Sequence, residues 1–199
     1  MDWRSLLTLL LASAVVMGSP GPSTMSAMAV AAAFGLRRSF RYVLGLILGT
    51  TAVLVAVATG VVAMLRAMPG LEGALTLAAA LYIVYLAFRI ATAPPLSKQG
   101  PDVPNPSFVA GFLLAVANPK AWFAIASVFT GSTLAEQSRT LDAMLKVAVL
   151  AVMILVIHAC WLLAGASLTA FLRDPLRSRI ANVLFAAILI ATALFPLVR

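Results

Sequence analysis

Acidic side chains are scarce in this chain: six Asp plus Glu among 199 residues, beside one histidine, His158, and one cysteine, Cys160. One cysteine excludes an intrachain disulfide and a dithiol redox cycle, which needs two. One histidine, one cysteine and no carboxylate inside an apolar run leave too few ligands for a soft or borderline metal, so no metal site is expected. No nucleophile stands in a recognisable motif with a base, so an enzyme is not expected, and nothing calls for a cofactor. Charge of either sign is thin, at 10% of residues against about 25% in a soluble domain. The net charge of +8 is spread between apolar runs and is not gathered into a nucleic-acid-binding face.

What is abundant is apolar surface, 63% of residues. A water-soluble fold would have to expose far more of it than water tolerates. At about 20 residues per crossing, the chain has room for six membrane helices and no extramembrane domain. The charge-limited runs predict an all-α integral membrane protein. They are 5–35, 42–65, 73–88 (extending to about 71–91, with Arg89 snorkelling to the headgroups), 103–131, 147–172 and 180–198. Ala12-Ser13-Ala14 resembles a signal-peptidase site, but Met1-Asp2-Trp3-Arg4 carries no net positive charge and Leu6–Leu11 is a short apolar region. The segment is therefore read as part of the membrane domain.

The first run is too long for one straight crossing, about 48 Å at 1.5 Å per residue. It must break at Gly18-Ser19-Pro20-Gly21-Pro22-Ser23, where two prolines and two glycines cannot continue a helix. Either it spans in full, the preferred reading, or it forms a re-entrant hairpin. Alternate loops put eight Lys/Arg on one side (Arg37, Arg38, Arg41, Arg89, Lys98, Arg173, Arg177, Arg179) and five on the other (Arg4, Arg66, Arg139, Lys146, Arg199). The positive-inside rule then makes the loops at Arg37, Lys98 and Arg177 cytoplasmic and the C-terminus extracytoplasmic.

Residues 92–106 hold five prolines and read as a cytoplasmic linker between two three-helix halves, 1–91 and 107–199. The second half opens as the first does: its first span is interrupted mid-way, at Asn118-Pro119-Lys120. Three crossings per half make the halves inverted repeats. A broken helix at matching places in two inverted halves is the sequence pointer to a midplane binding site in secondary transporters. Each break frees carbonyls that Pro20, Pro22 and Pro119 cannot serve, and starts a new helix whose N–H groups carry partial positive charge. Acceptors beside donors suit a zwitterionic amino acid. A packing kink would explain one such break; two at matching positions favour a ligand.

The candidate substrate-binding residues are therefore Pro20, Gly21, Pro22, Ser23, Thr24, Asn118, Pro119 and Lys120. Lys120, the only basic residue deep in a predicted span, either holds a substrate carboxylate or caps carbonyls of the first break. Alternatively it snorkels to the interface. His158 is either a proton-coupling residue or a neutral histidine bonded between helices. Trp161 either gates the cavity or packs. Gly45, Gly49, Ala52, Ala56 and Gly60 form one small-residue face, which admits a helix of the same chain or of a homodimer partner.

These residues resemble the LysE/RhtB superfamily of amino-acid exporters over nearly the whole chain. Pro20-Gly21-Pro22 followed by Gly35 and a basic turn is similar to its N-terminal signature, and residues 79–87 (AALYIVYLA) to its third helix. Asn118-Pro119-Lys120-Ala121-Trp122 is similar to its fourth-helix motif, and Cys160-Trp161-Leu162-Leu163-Ala164-Gly165 to the fifth helix of the cysteine and O-acetylserine branch. The resemblance implies a bacterial inner-membrane exporter of amino acids or close derivatives, driven by the proton gradient. Where some members carry Asp, this chain has Thr50, Thr51 and His158. The missing carboxylate argues against a dibasic substrate. Expected partners are thus a small zwitterionic amino acid, protons and the lipid bilayer. Another small solute, or a non-transporting membrane subunit, is the alternative.

Overall fold

The computed structural model describes residues 3–60, 77, 81, 84–88, 90–92, 106–168 and 174–194. Arg66, Arg89, Lys98, Arg173, Arg199, the linker 92–106 except its ends, and much of the third expected span lie outside them. All regular structure among the described residues is helical.

Helix α1 (Trp3–Ala12) runs into a π-helical turn (Ser13–Met17), and α2 (Pro22–Phe34) begins past the Gly18–Gly21 break. The two limbs are bent by 65°. Pro22 opens α2 because proline at the first helical position has a preset φ and needs no N–H partner there. Small apolar residues on every side let α2 run through the middle of the bundle, with only Met28 incompletely buried. Gly35 alone (φ 77°) turns the chain into α3 (Leu36–Ala58), a conformation that favours glycine. Arg37, Arg38 and Arg41 therefore sit on the first turns of α3, not in a loop. Ser39 Oγ ties the corner down through Val30 O (3.0 Å) and Gly35 O (2.7 Å).

Past residue 107, α4 (Phe108–Ala117) and α5 (Pro119–Thr130) are separated by Asn118 alone and bent by 61°. Helix α6 (Arg139–Ser167) and α7 (Pro175–Leu194) follow. By length and composition α3 and α6 suit a membrane crossing, as does each bent pair taken as one span or re-entrant loop. Outward faces carry the exposed apolar side chains this requires: Leu44, Leu48 and Val55 on α3, Val152, Leu155 and Leu163 on α6. The inward face of α6 repeats at helical spacing through Leu150, Ile154, Ile157, His158, Leu162 and Gly165.

The small-residue face is half as long as the sequence suggests. Added at Gly45, a Cβ would strike Phe108 O of α4; at Gly49 it would lie 2.6 Å from Phe112 O. From the other side, one at Gly111 would strike Tyr42 O. The helix these glycines admit is thus α4 of the same chain. Ala52 is exposed, Ala56 only half-buried, and a Cβ at Gly60 (φ 80°) would meet none of the described residues within 4 Å. Gly60 ends α3, donating its N–H to Val57 O at 3.1 Å. A helix-stop glycine at the right spacing is indistinguishable from a packing glycine in sequence. Gly165, not among the expected packing residues, does this work between α6 and Met28–Ala31 of α2.

Candidate functional site

Two apolar clusters stack along the bundle. One gathers α2 with Tyr42, Leu46, Leu114 and Leu162; the other joins Leu9, Val53, Leu54, Ile125, Val128, Leu150 and Ile154. Both helix breaks fall where the clusters meet. On α3, Thr50 lies between Leu46 of one and Val53 of the other; on α6, His158 lies between Ile154 and Leu162. A cavity of about 40 Å³ opens there, lined by Ser23, Thr24, Thr50, Asn118, Lys120 and His158 among others.

The second break is built by its own motif. Asn118 Oδ1 accepts the Lys120 N–H (3.1 Å), capping α5, and Pro119 fills the first helical position. Trp122 Nε1 donates to Val116 O at 2.7 Å, serving a carbonyl that α4 leaves open. The carbonyl of Ala115, expected to be free for want of a Pro119 N–H, accepts the Asn118 N–H instead (3.3 Å) because the chain turns back one residue earlier.

The first break is completed from outside itself. Ser19 Oγ reaches back to Val16 O (2.9 Å), and Thr24 Oγ1 accepts the Gly21 N–H (2.9 Å). Trp161 Nε1 donates to Gly18 O at 3.1 Å, so the expected gate residue serves the carbonyl that Pro22 leaves unpaired. Lys120 Nζ meets Ser19 O (2.5 Å), Ser19 Oγ (2.8 Å) and Pro20 O (3.0 Å), one partner for each of its N–H bonds. Asn118 Nδ2 donates to Ser23 Oγ at 2.8 Å. The two breaks, about 100 residues apart in sequence, are thus one polar joint.

Gly21 owes its place to that joint. Its extended φ of −172° suits any residue, but a Cβ there would stand 2.5 Å from Lys120 Cδ. The Lys120 stem lies across the glycine. The structure brings Pro20 through Thr24, Asn118, Pro119, Lys120, His158 and Trp161 together. It also adds Thr50, whose hydroxyl is buried with no hydrogen-bond partner, whereas Thr51 bonds Ile47 O of its own helix at 2.8 Å. The i, i+4 step from Leu46 to Thr50 was the available signal. Cys160 is exposed on the outer face.

A second polar assembly is hidden in the sequence, where the apolar runs place Lys146 in a loop. It is 5% exposed, two turns into α6, and pairs with Asp142 Oδ2 at 2.7 Å. The other oxygen, Oδ1, accepts the N–H groups of Leu134 (2.6 Å) and Ala135 (3.1 Å), pinning the connection between α5 and α6. The i, i+4 spacing of Asp142 and Lys146 was visible in the sequence.

A lipid-facing helical body whose paired breaks join around a small polar cavity is the build of a membrane carrier. The chain belongs to the LysE type translocator family, whose model matches residues 14–199. It is similar to the cysteine/O-acetylserine efflux protein of Escherichia coli strain K12, 32% identical over 176 residues, 88% of each chain. The protein of that name from Shigella sonnei strain Ss046 matches to the same extent. No solved structure matches.

Proposed function

We propose that the protein is a secondary transporter of the bacterial inner membrane. It exports small neutral amino acids or close derivatives, of the size of cysteine or O-acetylserine, in exchange for entering protons. The observation that carries this reading is the joint itself: two broken helices, one from each half of the chain, meet at a polar cavity through Lys120 and Asn118. The names of its relatives point to the same cargo.

Substrate enters from the cytoplasmic side and its carboxylate draws Lys120 from the Ser19 and Pro20 oxygens. Ser23 and Asn118 supply further polar contacts. At about 40 Å³ the cavity takes a water or so and not an amino acid, so the joint must open for cargo to seat. The apolar clusters on either side close the path alternately. One proton entering per zwitterion leaving moves one charge inward, worth about 2.3 kcal/mol per 100 mV. That sustains a gradient of about fifty-fold at about 1.4 kcal/mol per tenfold.

The test is efflux from proteoliposomes loaded with the common amino acids plus homoserine and O-acetylserine, with an imposed proton gradient and mass spectrometry of what leaves. Gradient-dependent loss of one or a few small zwitterions is the expected outcome. Retention of every component by folded, oriented protein refutes it and favours another solute or a non-transporting subunit.

A further inference from the structure

His158 is only 3% exposed, and its ring is held by one bond, Nδ1 to Ile154 O at 2.8 Å. A carbonyl oxygen only accepts, so Nδ1 carries the proton, and in the neutral ring Nε2 presents a lone pair. That atom is buried with no hydrogen-bond partner, and so is the hydroxyl of Thr50. Both residues line the cavity, one from α6 and one from α3. Two unsatisfied polar atoms on residues that line one cavity call for a ligand with N–H or O–H groups. The strongest such donor on an amino acid is its ammonium. The break oxygens, which the sequence offers as the ammonium's partners, hold the Lys120 ammonium instead.

We infer that His158 Nε2 and Thr50 Oγ1 receive the substrate's α-ammonium, and that the proton and the ammonium compete for the same Nε2 lone pair. This rests on the exporter reading above and gives it a coupling mechanism. An imidazole protonated at Nε2 has no acceptor left and repels the ammonium, so the site holds a proton or a substrate, never both. Facing outward, Nε2 takes a proton from the extracytoplasmic water as substrate leaves. Facing inward, it gives that proton to the cytoplasm as the next substrate binds. The substrate ammonium keeps its own protons throughout. Mutual exclusion at one atom couples the two flows so long as only a loaded site, with proton or substrate, changes sides.

Among the described residues, the charged groups around the ring are few. From α5, Lys120 lines the cavity, whereas α2 and α3 contribute the uncharged Ser23, Thr24 and Thr50. On α6, the Asp142–Lys146 pair lies about three to four turns away, beyond Leu150 and Ile154. Among the described residues lining the cavity, His158 is the only group that ordinarily titrates near neutrality.

The experiment is exchange of labelled L-cysteine, kept reduced, across proteoliposomes holding the full chain at equal pH on both sides. In the unaltered protein, the half-saturating cysteine concentration should rise about tenfold per pH unit on the acid side of the imidazole's titration, the slope of one competing proton. His158→Gln keeps an acceptor and cannot titrate. Its exchange should be weaker and flat with pH, and an imposed proton gradient should no longer drive net efflux. Thr50→Val should raise the half-saturating concentration about tenfold, while Thr51→Val, whose hydroxyl bonds its own helix, should not move it.

Persistence of the slope and of gradient-driven efflux in His158→Gln overturns the inference, as does unchanged affinity in Thr50→Val. If His158→Gln does not fold, Thr50→Val and the wild-type slope still decide. A slope absent from a wild-type protein that exchanges cysteine sinks the inference and leaves the exporter reading standing. No exchange of any amino acid by the wild type overturns both.

Discussion

Replacing Lys120 by methionine removes a cation of similar reach from the point where the breaks join. Three contacts go: to Ser19 O, Ser19 Oγ and Pro20 O. A hydrogen bond to a charged group is worth about 1.5–3 kcal/mol net. The three do not add in full, because the side chain is half-buried and water can reach the exposed Pro20. Between one and two bonds' worth gives a loss of about 2–4 kcal/mol. At about 1.4 kcal/mol per tenfold, the joined arrangement loses about 30- to 1000-fold in population. For a chain of this size the melting temperature should fall by about 4–16 °C. The assays are thermal unfolding in detergent and cysteine exchange in proteoliposomes. Exchange should collapse while the protein still inserts. A second readout separates bracing from substrate binding. If Lys120 also receives the carboxylate, Lys120→Met should weaken binding of cysteine, read as its thermal stabilisation of the protein in detergent, far more than binding of cysteamine, which has no carboxylate. A Lys120→Met protein that melts and exchanges like the wild type would refute the reasoning.

Further expectations follow from neighbouring contacts. Gly21→Ala leaves every charge in place but pushes the Lys120 stem aside, so exchange should fall severalfold with a melting shift smaller than that of Lys120→Met. Gly45→Ala and Gly111→Ala each force α3 and α4 apart and should cost about 1–3 kcal/mol, read as melting temperature. Because both block the same approach, the double variant should lose less than the sum. Asp142→Asn strips the partner from a buried lysine and should cost about 3 kcal/mol in thermal unfolding. Trp161→Phe keeps the ring, loses the bond to Gly18 O, and should cost about 1 kcal/mol in the same assay.

Both breaks were legible because proline and glycine act locally: a missing N–H ends a helix wherever the segment is packed. The packing face of α3 was legible in part, through the spacing of Gly45 and Gly49, whereas Ala52, Ala56 and Gly60 share that spacing without the close contact. What sequence left open was which long-range partner each freed group finds. Lys120 fits a substrate carboxylate or the first break equally well on paper, and only the meeting of segments 100 residues apart puts its ammonium on Ser19 and Pro20. Trp161 looks like a packing or gating ring until its indole N–H is seen at Gly18, 143 residues away. Thr50 and Thr51 are chemically identical neighbours, and the turn of the helix decides which faces the cavity. Lys146 reads as a loop residue in sequence because its charge marks the edge of an apolar run, though its partner sits one turn before it.

The joint also sets an order of events at birth. When the ribosome has delivered the first broken helix, the Ser19 and Pro20 carbonyls have no ammonium to meet, because Lys120 is still about 100 residues from being made. At about 5–20 residues per second, that wait lasts about 5–20 s. Through it the nascent first half sits with open backbone oxygens, which hydrocarbon cannot satisfy and water or the insertion machinery must. The first broken helix is thus unfinished on its own, sealed only when the second arrives. Separately synthesised halves should mature together or not at all.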